Sequence, residues 1–139
     1  MTDSIREHFG EEHRALETHL ERLRDAVEGA DKSALVDEWN DFERVLRAHL
    51  EAEEAHLFPT VEASAPQAVK EAREAHVAIR QHLDELGMQV ELHTVRLETV
   101  DAFLSLLRAH KAAEDEGLYR VADEALEPET REKALARAA

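Results

Sequence analysis

Apolar residues recur every three or four positions along almost the whole chain, and no stretch alternates with the period of a β-strand. The repeat runs through Phe9, Leu16 and Leu20 near the start and resumes after each break. Such a pattern places an apolar stripe along each helix, and the stripes must pack against one another. The sequence therefore predicts an all-α protein.

The breaks divide the chain into four long helices, which we place at about residues 3–29, 31–59, 66–92 and 94–126. Short loops between long helices make neighbours antiparallel, so the predicted fold is an up-down-up-down four-helix bundle. A chain of 139 residues has the size of one domain. We expect a single domain over residues 1–139, with its core at about 4–126 and a short C-terminal helix or tail at 127–139.

The two halves of the chain resemble each other. The segment EEHRALETHLERL aligns with EAHVAIRQHLDEL, and LRAHLEAEEAHLF aligns with LRAHKAAEDEGLY. One helical hairpin used twice would give the bundle a pseudo-twofold internal duplication.

Histidine and glutamate interrupt the apolar stripes where leucine is expected. The interrupting residues are His13, His49, Glu53, His76, His110 and Glu114. At about 1.5 Å per residue, the first two histidines each lie roughly 25 Å from the turn between their helices, and the other two are similarly matched. The glutamates follow a histidine by four residues and so share its helix face. The spacing predicts one polar layer across the bundle.

A metal ion explains this layer better than isolated core histidines do. Two buried carboxylates would each cost several kcal/mol (roughly) and would repel each other, and a cation removes both problems. A lone HxxxE pattern is more often a histidine bonded to its own glutamate or facing water. Two such patterns and two further stripe histidines at one level favour a metal centre with nitrogen and oxygen donors, which suits iron, manganese or zinc.

The positions of the other histidines give weaker support for a role as metal ligands. His8, His19, His82 and His93 lie off or beside the stripes, and we interpret them as surface residues. His56 lies seven residues after His49, on nearly the same face, and its counterpart in the duplicate is Gly117. We keep His56 as an accessory candidate, for proton relay or as an extra ligand, beside the alternative that it borders solvent.

Composition excludes several classes of function. The net charge is -15, with scattered basic residues, so no nucleic-acid surface is expected. There is no cysteine, which excludes thiolate ligands and cysteine nucleophiles. No signal peptide or membrane-length apolar run is recognised, so we expect a cytoplasmic protein without membrane contact, as a monomer or weak homodimer.

The ordered motifs HLEAEEAHLFP, EAHVAI and HKAAEDE, together with His13, make the chain similar to the hemerythrin-like, or HHE cation-binding, family over about residues 5–125. The resemblance implies a four-helix bundle holding two iron ions joined by an oxo or hydroxo bridge, with zinc or manganese as substitutes. It also implies that His13 and His49 hold one iron, that His76 and His110 hold the other, and that Glu53 and Glu114 bridge them.

The chain departs from the oxygen carriers of that family, which have a further histidine in an HxxxH spacing on the third helix. Here the residues four before and four after His76 are Ala72 and Arg80. An open coordination position is expected, and the implied ligands are O₂, peroxide or nitric oxide. The leading hypothesis is a ligand-binding di-iron protein rather than a defined enzyme. The alternatives are an iron or redox sensor and a ferritin-like di-iron oxidase, for which only Glu53 and His56 provide a Glu-x-x-His pair.

Overall fold

In the computed structural model, which describes residues 4–125 and residue 136, the described part of the chain is helical and contains no strand. Four long helices carry the structure: α1 (Ile5–Glu28), α2 (Lys32–Ala52), α4 (Pro66–Glu91) and α5 (Leu97–Glu116). A π-helical turn, Glu53–Leu57, joins α2 to the short helix α3 (Phe58–Val61), and α6 (Leu118–Ala125) follows α5. The segment predicted as a tail, 127–139, lies outside the described residues apart from residue 136.

The long helices form a ring. α1 packs against α2 and α5, and α4 packs against the same two helices, which is consistent with the expected four-helix bundle. No helix in the described ranges is long and apolar enough to cross a lipid bilayer.

Side-chain caps fix the starts of the first two helices. Ser4 Oγ accepts a hydrogen bond from the Glu7 backbone N–H at 3.0 Å, and Asp31 Oδ1 accepts one from that of Ala34 at 3.1 Å. Each cap satisfies an amide that has no partner inside its helix. The first turn then reverses the chain through Ala30, which takes a positive φ of 52°.

Two predicted helix ends were wrong. The second helical path does not stop at Pro59, because this proline lies in the first turn of α3, where its missing N–H breaks no helical hydrogen bond. The fourth helix does not continue to Leu126 without interruption, because α5 ends at Glu116. The break falls at Gly117, where a Cβ atom would lie 2.9 Å from the Ala113 carbonyl oxygen.

The apolar core consists of two clusters. The larger lies towards the α1–α2 turn and is built from residues such as Leu20, Trp39, Phe42 and Phe103. The smaller lies at the other end and contains Ile5, Phe9, Val69 and Tyr119, among others. On α1 and α4 the interrupting histidine falls between residues of the two clusters. On α5, His110 follows the last residue of the larger cluster, and on α2, His49 lies beside Leu50 of that cluster. A polar layer therefore separates two apolar regions.

Candidate metal centre

Each long helix contributes one buried histidine to the polar layer: His13 from α1, His49 from α2, His76 from α4 and His110 from α5. The ring centroids of His13 and His49 lie 4.7 Å apart, and those of His76 and His110 lie 5.3 Å apart. A further 5.9 Å separates the His13 and His110 centroids. The structure thus brings the four rings together as two adjacent pairs.

The two glutamates lie between these pairs. Glu53 is 0% exposed, and its Oε1 lies 3.2 Å from His49 Nε2 and 3.1 Å from His76 Nε2. Glu114 is 2% exposed, and its Oε1 lies 3.2 Å from His13 Nε2 and 2.6 Å from His110 Nε2. Each carboxylate therefore touches one histidine from each pair.

The donor atoms are close enough to surround metal ions. In one group, potential ligand atoms of Glu53, His76, His110 and Glu114 all lie within 4.8 Å of one another. In a second group, the same limit holds for His13, His49 and Glu114. Glu114 belongs to both groups.

Two outer carboxylates orient the inner rings. Glu12 Oε1 lies 2.7 Å from His49 Nδ1, and Glu54 Oε2 lies 2.7 Å from His76 Nδ1. Arg80 holds Glu54 with two hydrogen bonds of 2.6 and 2.8 Å. A ring that donates its Nδ1–H to a carboxylate presents its Nε2 lone pair to the layer, as metal-binding histidines do.

The sequence interpretation missed these outer carboxylates. Their only signal is that Glu12 and Glu54 each stand directly beside an interrupting residue, His13 and Glu53 respectively. A neighbour in the sequence is turned by about 100° around the helix, so it faces the adjacent helix rather than the core.

Several atoms of the layer lack protein partners. Within the described part of the chain, His49 Nε2, His110 Nε2 and Glu114 Oε2 are buried without a hydrogen bond. Both nitrogens do lie near a glutamate oxygen, at 3.2 and 2.6 Å, but without the directionality of a hydrogen bond. A buried polar atom left unpaired costs about 1–3 kcal/mol, and coordination to a cation would remove that cost. The donor set therefore fits a bound cation.

The two central carboxyl groups differ in electrostatics. Burial raises the pKa of Glu114 to about 8, and the neighbouring negative charge of Glu53 acts in the same direction. Burial also acts to raise the pKa of Glu53, but the positive charge of His49 and the contact with His76 hold this pKa well below its ordinary value. Without a metal, the layer therefore holds one ionised and one protonated carboxyl group at neutral pH.

The histidines on the same side of the layer also differ. Burial acts to lower the pKa of His49, but Glu53 and the hydrogen bond to Glu12 outweigh it and raise this pKa to about 10. Burial, together with the positive charge of His49, lowers the pKa of His13 to about 4. In the absence of metal, His49 therefore supplies positive charge that the carboxylates otherwise lack.

Tyr119 is the clearest site residue that the sequence interpretation missed. This fully buried side chain donates a hydrogen bond to Glu53 Oε2 at 2.6 Å, and its oxygen lies 3.0 Å from both Glu114 Oε1 and His13 Nε2. Its ring stacks on Phe9 at a centroid distance of 5.4 Å. Burial, Glu53 and Glu114 raise its pKa well above the ordinary value, so the phenol is neutral in the metal-free layer. Its position in the apolar stripe made it resemble an ordinary core aromatic residue.

The remaining histidines lie outside the two groups of donor atoms. His56 is half-buried in the π-helical turn, and its accessory role stays a prediction. His93 is exposed, His82 bonds to the Ala78 carbonyl oxygen, and His19 lies 3.5 Å from Glu38. His8 lies 3.0 Å from Glu12, the carboxylate that orients His49.

Comparison with known proteins identifies the family. The sequence model described as the hemerythrin HHE cation-binding domain matches residues 4–122, which include all six residues of the central layer. Comparisons with curated proteins and with solved structures gave no significant match. Because this match covers most of the chain, the chain belongs to the hemerythrin HHE cation-binding domain family.

Proposed function

We propose that this protein is a non-haem di-iron protein that binds O₂, peroxide or nitric oxide at the centre formed by the polar layer. The observation that carries the proposal is the convergence of four histidine Nε2 atoms and two carboxylates in a buried layer, three of whose atoms have no hydrogen bond within the described structure. Nitrogen and oxygen donors without sulfur suit iron, and manganese or zinc would be accepted by the same set.

In the proposed centre, His13 and His49 hold one ion, and His76 and His110 hold the other. Glu53 and Glu114 bridge the ions, which is supported by their contacts with one histidine of each pair. When bound, iron would supply exchangeable coordination positions and the capacity for electron transfer at this layer.

The protein itself provides orientation and apolar surroundings. Glu12 and Glu54 fix two of the imidazole rings, and apolar clusters flank the layer on either side. Tyr119 holds Glu53 through its hydroxyl group and occupies the space beside His13. This arrangement keeps the donors in place without reorganisation when metal enters.

The residues around His76 support an open position on its ion. Arg80 is engaged with Glu54, and Ala72 offers no donor atom, so neither replaces the histidine found there in the oxygen carriers. A fully coordinated iron would leave no room for an external ligand, so this deficit favours ligand binding over a purely structural role.

The proposal includes an up-down-up-down bundle with pseudo-twofold duplication, folded as a single domain. Contacts between neighbouring helices show residue numbers rising along one helix while they fall along the other. Between α1 and α2, Glu12 contacts His49 and His19 contacts Glu38. Between α1 and α5, His13 contacts Glu114 and Arg24 contacts Asp101. Arg47 of α2 contacts Asp84 of α4, while Glu54 of the following π-helical turn contacts His76 of α4. These pairs support antiparallel neighbours.

Metal analysis of freshly purified protein, with optical spectra before and after exposure to O₂ and to nitric oxide, tests the proposal. We expect about two iron ions per chain and a spectral change with at least one of the two gases. Protein that takes up no iron under anaerobic reconstitution, or iron-loaded protein whose spectrum is unchanged by both gases, would overturn it.

A Tyr119→Phe variant tests the support given to Glu53. The substitution removes only the hydroxyl group and keeps the stack on Phe9, so the fold should survive while Glu53 loses a hydrogen bond. Loss of such an outer hydrogen bond lowers metal affinity by roughly 10–100-fold. Iron affinity is measured by competition with a chelator, and an affinity equal to that of the unmodified protein would show that the hydroxyl group does not support the centre.

A further inference from the structure

A small cavity leads from the surface between α4 and α5 to the polar layer. Its volume is about 100 Å³, and its inner end is formed by His110 and Glu114. Alanine and glycine make up most of its walls, at Ala68, Ala72, Ala75, Ala113 and Gly117. Its rim is open, because Ala113 and Glu71 are exposed. The cavity is therefore wide enough for a few atoms and has mainly apolar walls.

Unpartnered polar atoms lie at the inner end of this cavity. Glu114 Oε2 and His110 Nε2 are buried without a hydrogen bond in the described structure, and their side chains are 2% and 6% exposed. Both residues line the cavity. Stripes of small residues are common where helices pack. This stripe differs because it leads to buried polar atoms that have no hydrogen bond.

A second space in the described structure borders the layer near His13 and His49. This gap, which His110 and neighbouring apolar residues also border, has a volume of only about 10 Å³. A single water needs about 10–15 Å³, so this gap has no room for a diatomic ligand. Beside His13 lies the buried ring of Tyr119, which stacks on Phe9. Of these two spaces, only the alanine-lined cavity has room for a diatomic ligand.

We propose that external ligands enter through this alanine-lined cavity, bind on the side of the centre held by His76 and His110, and are selected there for small size and zero charge. The inference rests on the proposed function for the presence of the ion. Apolar walls cannot replace the hydration of an anion, and the carboxylate of Glu71 at the rim adds repulsion. Nitric oxide and O₂ pass this filter, whereas azide is opposed by it.

Xenon tests the cavity without reference to iron. Crystals of the metal-free protein under xenon pressure should show a xenon atom between Ala72 and Ala113, because apolar cavities of this size bind the gas. An Ala75→Leu variant should lose this xenon site, since the added carbon atoms would fill the space. Absence of xenon from the unmodified protein, or its retention in the variant, would overturn the claim that this cavity admits small apolar molecules.

Rapid mixing tests whether the cavity is the route. In iron-loaded protein, Ala75→Leu and the more exposed Ala113→Leu should each slow nitric oxide association by roughly tenfold while iron content stays unchanged. Ala112→Leu is the matched control, because Ala112 is exposed on the same helix and does not line the cavity. In the unmodified protein, azide should associate at least about tenfold more slowly than nitric oxide.

The outcomes separate this inference from the proposed function. Unchanged nitric oxide rates in both cavity variants would overturn the route and leave the di-iron proposal standing. Azide association as fast as that of nitric oxide would overturn the charge filter. If the chain held no iron at all, the di-iron proposal would fail and no ligand route could be assigned to it.

Discussion

Replacing His110 with alanine is expected to reduce bound iron from about two ions per chain to about one or fewer. His110 Nε2 lies 2.6 Å from Glu114 Oε1 and belongs to the larger group of donor atoms. Its removal takes a nitrogen from an ion that has few protein donors and also frees Glu114, which both groups need. Loss of an outer hydrogen bond alone costs 10–100-fold (roughly) in metal affinity, and loss of a direct ligand should cost more.

His19→Ala serves as the matched control. Like His110, this histidine lies on a long helix near a glutamate, here Glu38, but it is only half-buried and lies outside the polar layer. Iron content near that of the unmodified protein is expected for this variant. If the His110→Ala variant retained as much iron as the unmodified protein, and its melting temperature in chelator equalled that of the unmodified protein in chelator, His110 would not be a ligand.

The metal-free protein is expected to lose stability as the pH rises above about 6.5. Two groups cause the loss. Glu114, with its pKa raised from 4.5 to about 8, holds a proton more tightly in the folded protein than in the unfolded chain. His49, with its pKa raised from 6.5 to about 10, does the same. A rising pH withdraws protons first from the unfolded chain and so favours unfolding.

The pH window follows from these pKa values. From 6.5 to about 8 both groups act together, and each lowers the free energy of unfolding by roughly 1–2 kcal/mol per pH unit. Below 6.5, His13 acts in the opposite direction, because its pKa is lowered to about 4 and the unfolded chain takes up the proton first. It offsets Glu114 between 4.5 and 6.5, so metal-free stability should be nearly level there.

Urea unfolding in chelator between pH 5 and pH 9 measures this dependence. The charged or polar groups that face Glu114 are His13 of α1, Glu53 of the π-helical turn, His110 of its own helix and Tyr119 of α6. A Glu114→Gln variant keeps the shape and cannot ionise, so its stability should fall less steeply between pH 6.5 and 8. Equal slopes in the two metal-free proteins would contradict the assignment to Glu114.

Iron should remove most of this pH dependence. Two cations in the layer would neutralise Glu53 and Glu114 and satisfy the unpaired atoms, so the loaded protein should melt more than about 10 °C above the metal-free form at pH 8. Identical melting temperatures with and without chelator would show that the layer does not depend on metal.

Local and periodic features of the sequence were enough to predict the helical class and the six central residues. The apolar repeat and the breaks between the predicted helices are short-range signals. The convergence of the four histidines follows from helix rise alone, because residues at equal distances from a turn reach the same level.

Features set by contacts between distant segments were not predictable in the same way. Tyr119 and Glu53 are 66 positions apart, and Glu54 and Arg80 are 26 apart, so no local pattern joins them. The π-helical turn at Glu53–Leu57 and the break at Gly117 depend on backbone geometry that apolar spacing does not record. A π-helical turn inside a longer helical path is often found at functional sites, and here it begins at Glu53.

Anomalous diffraction at the iron absorption edge, from crystals of freshly purified protein, tests the central claim most directly. The account predicts two iron peaks roughly 3.5–4 Å apart in the polar layer, one beside His13 and His49 and the other beside His76 and His110. Glu53 and Glu114 should contact both peaks. A single peak would contradict the bridged pair, and iron absent from this layer after reconstitution would contradict the metal centre itself.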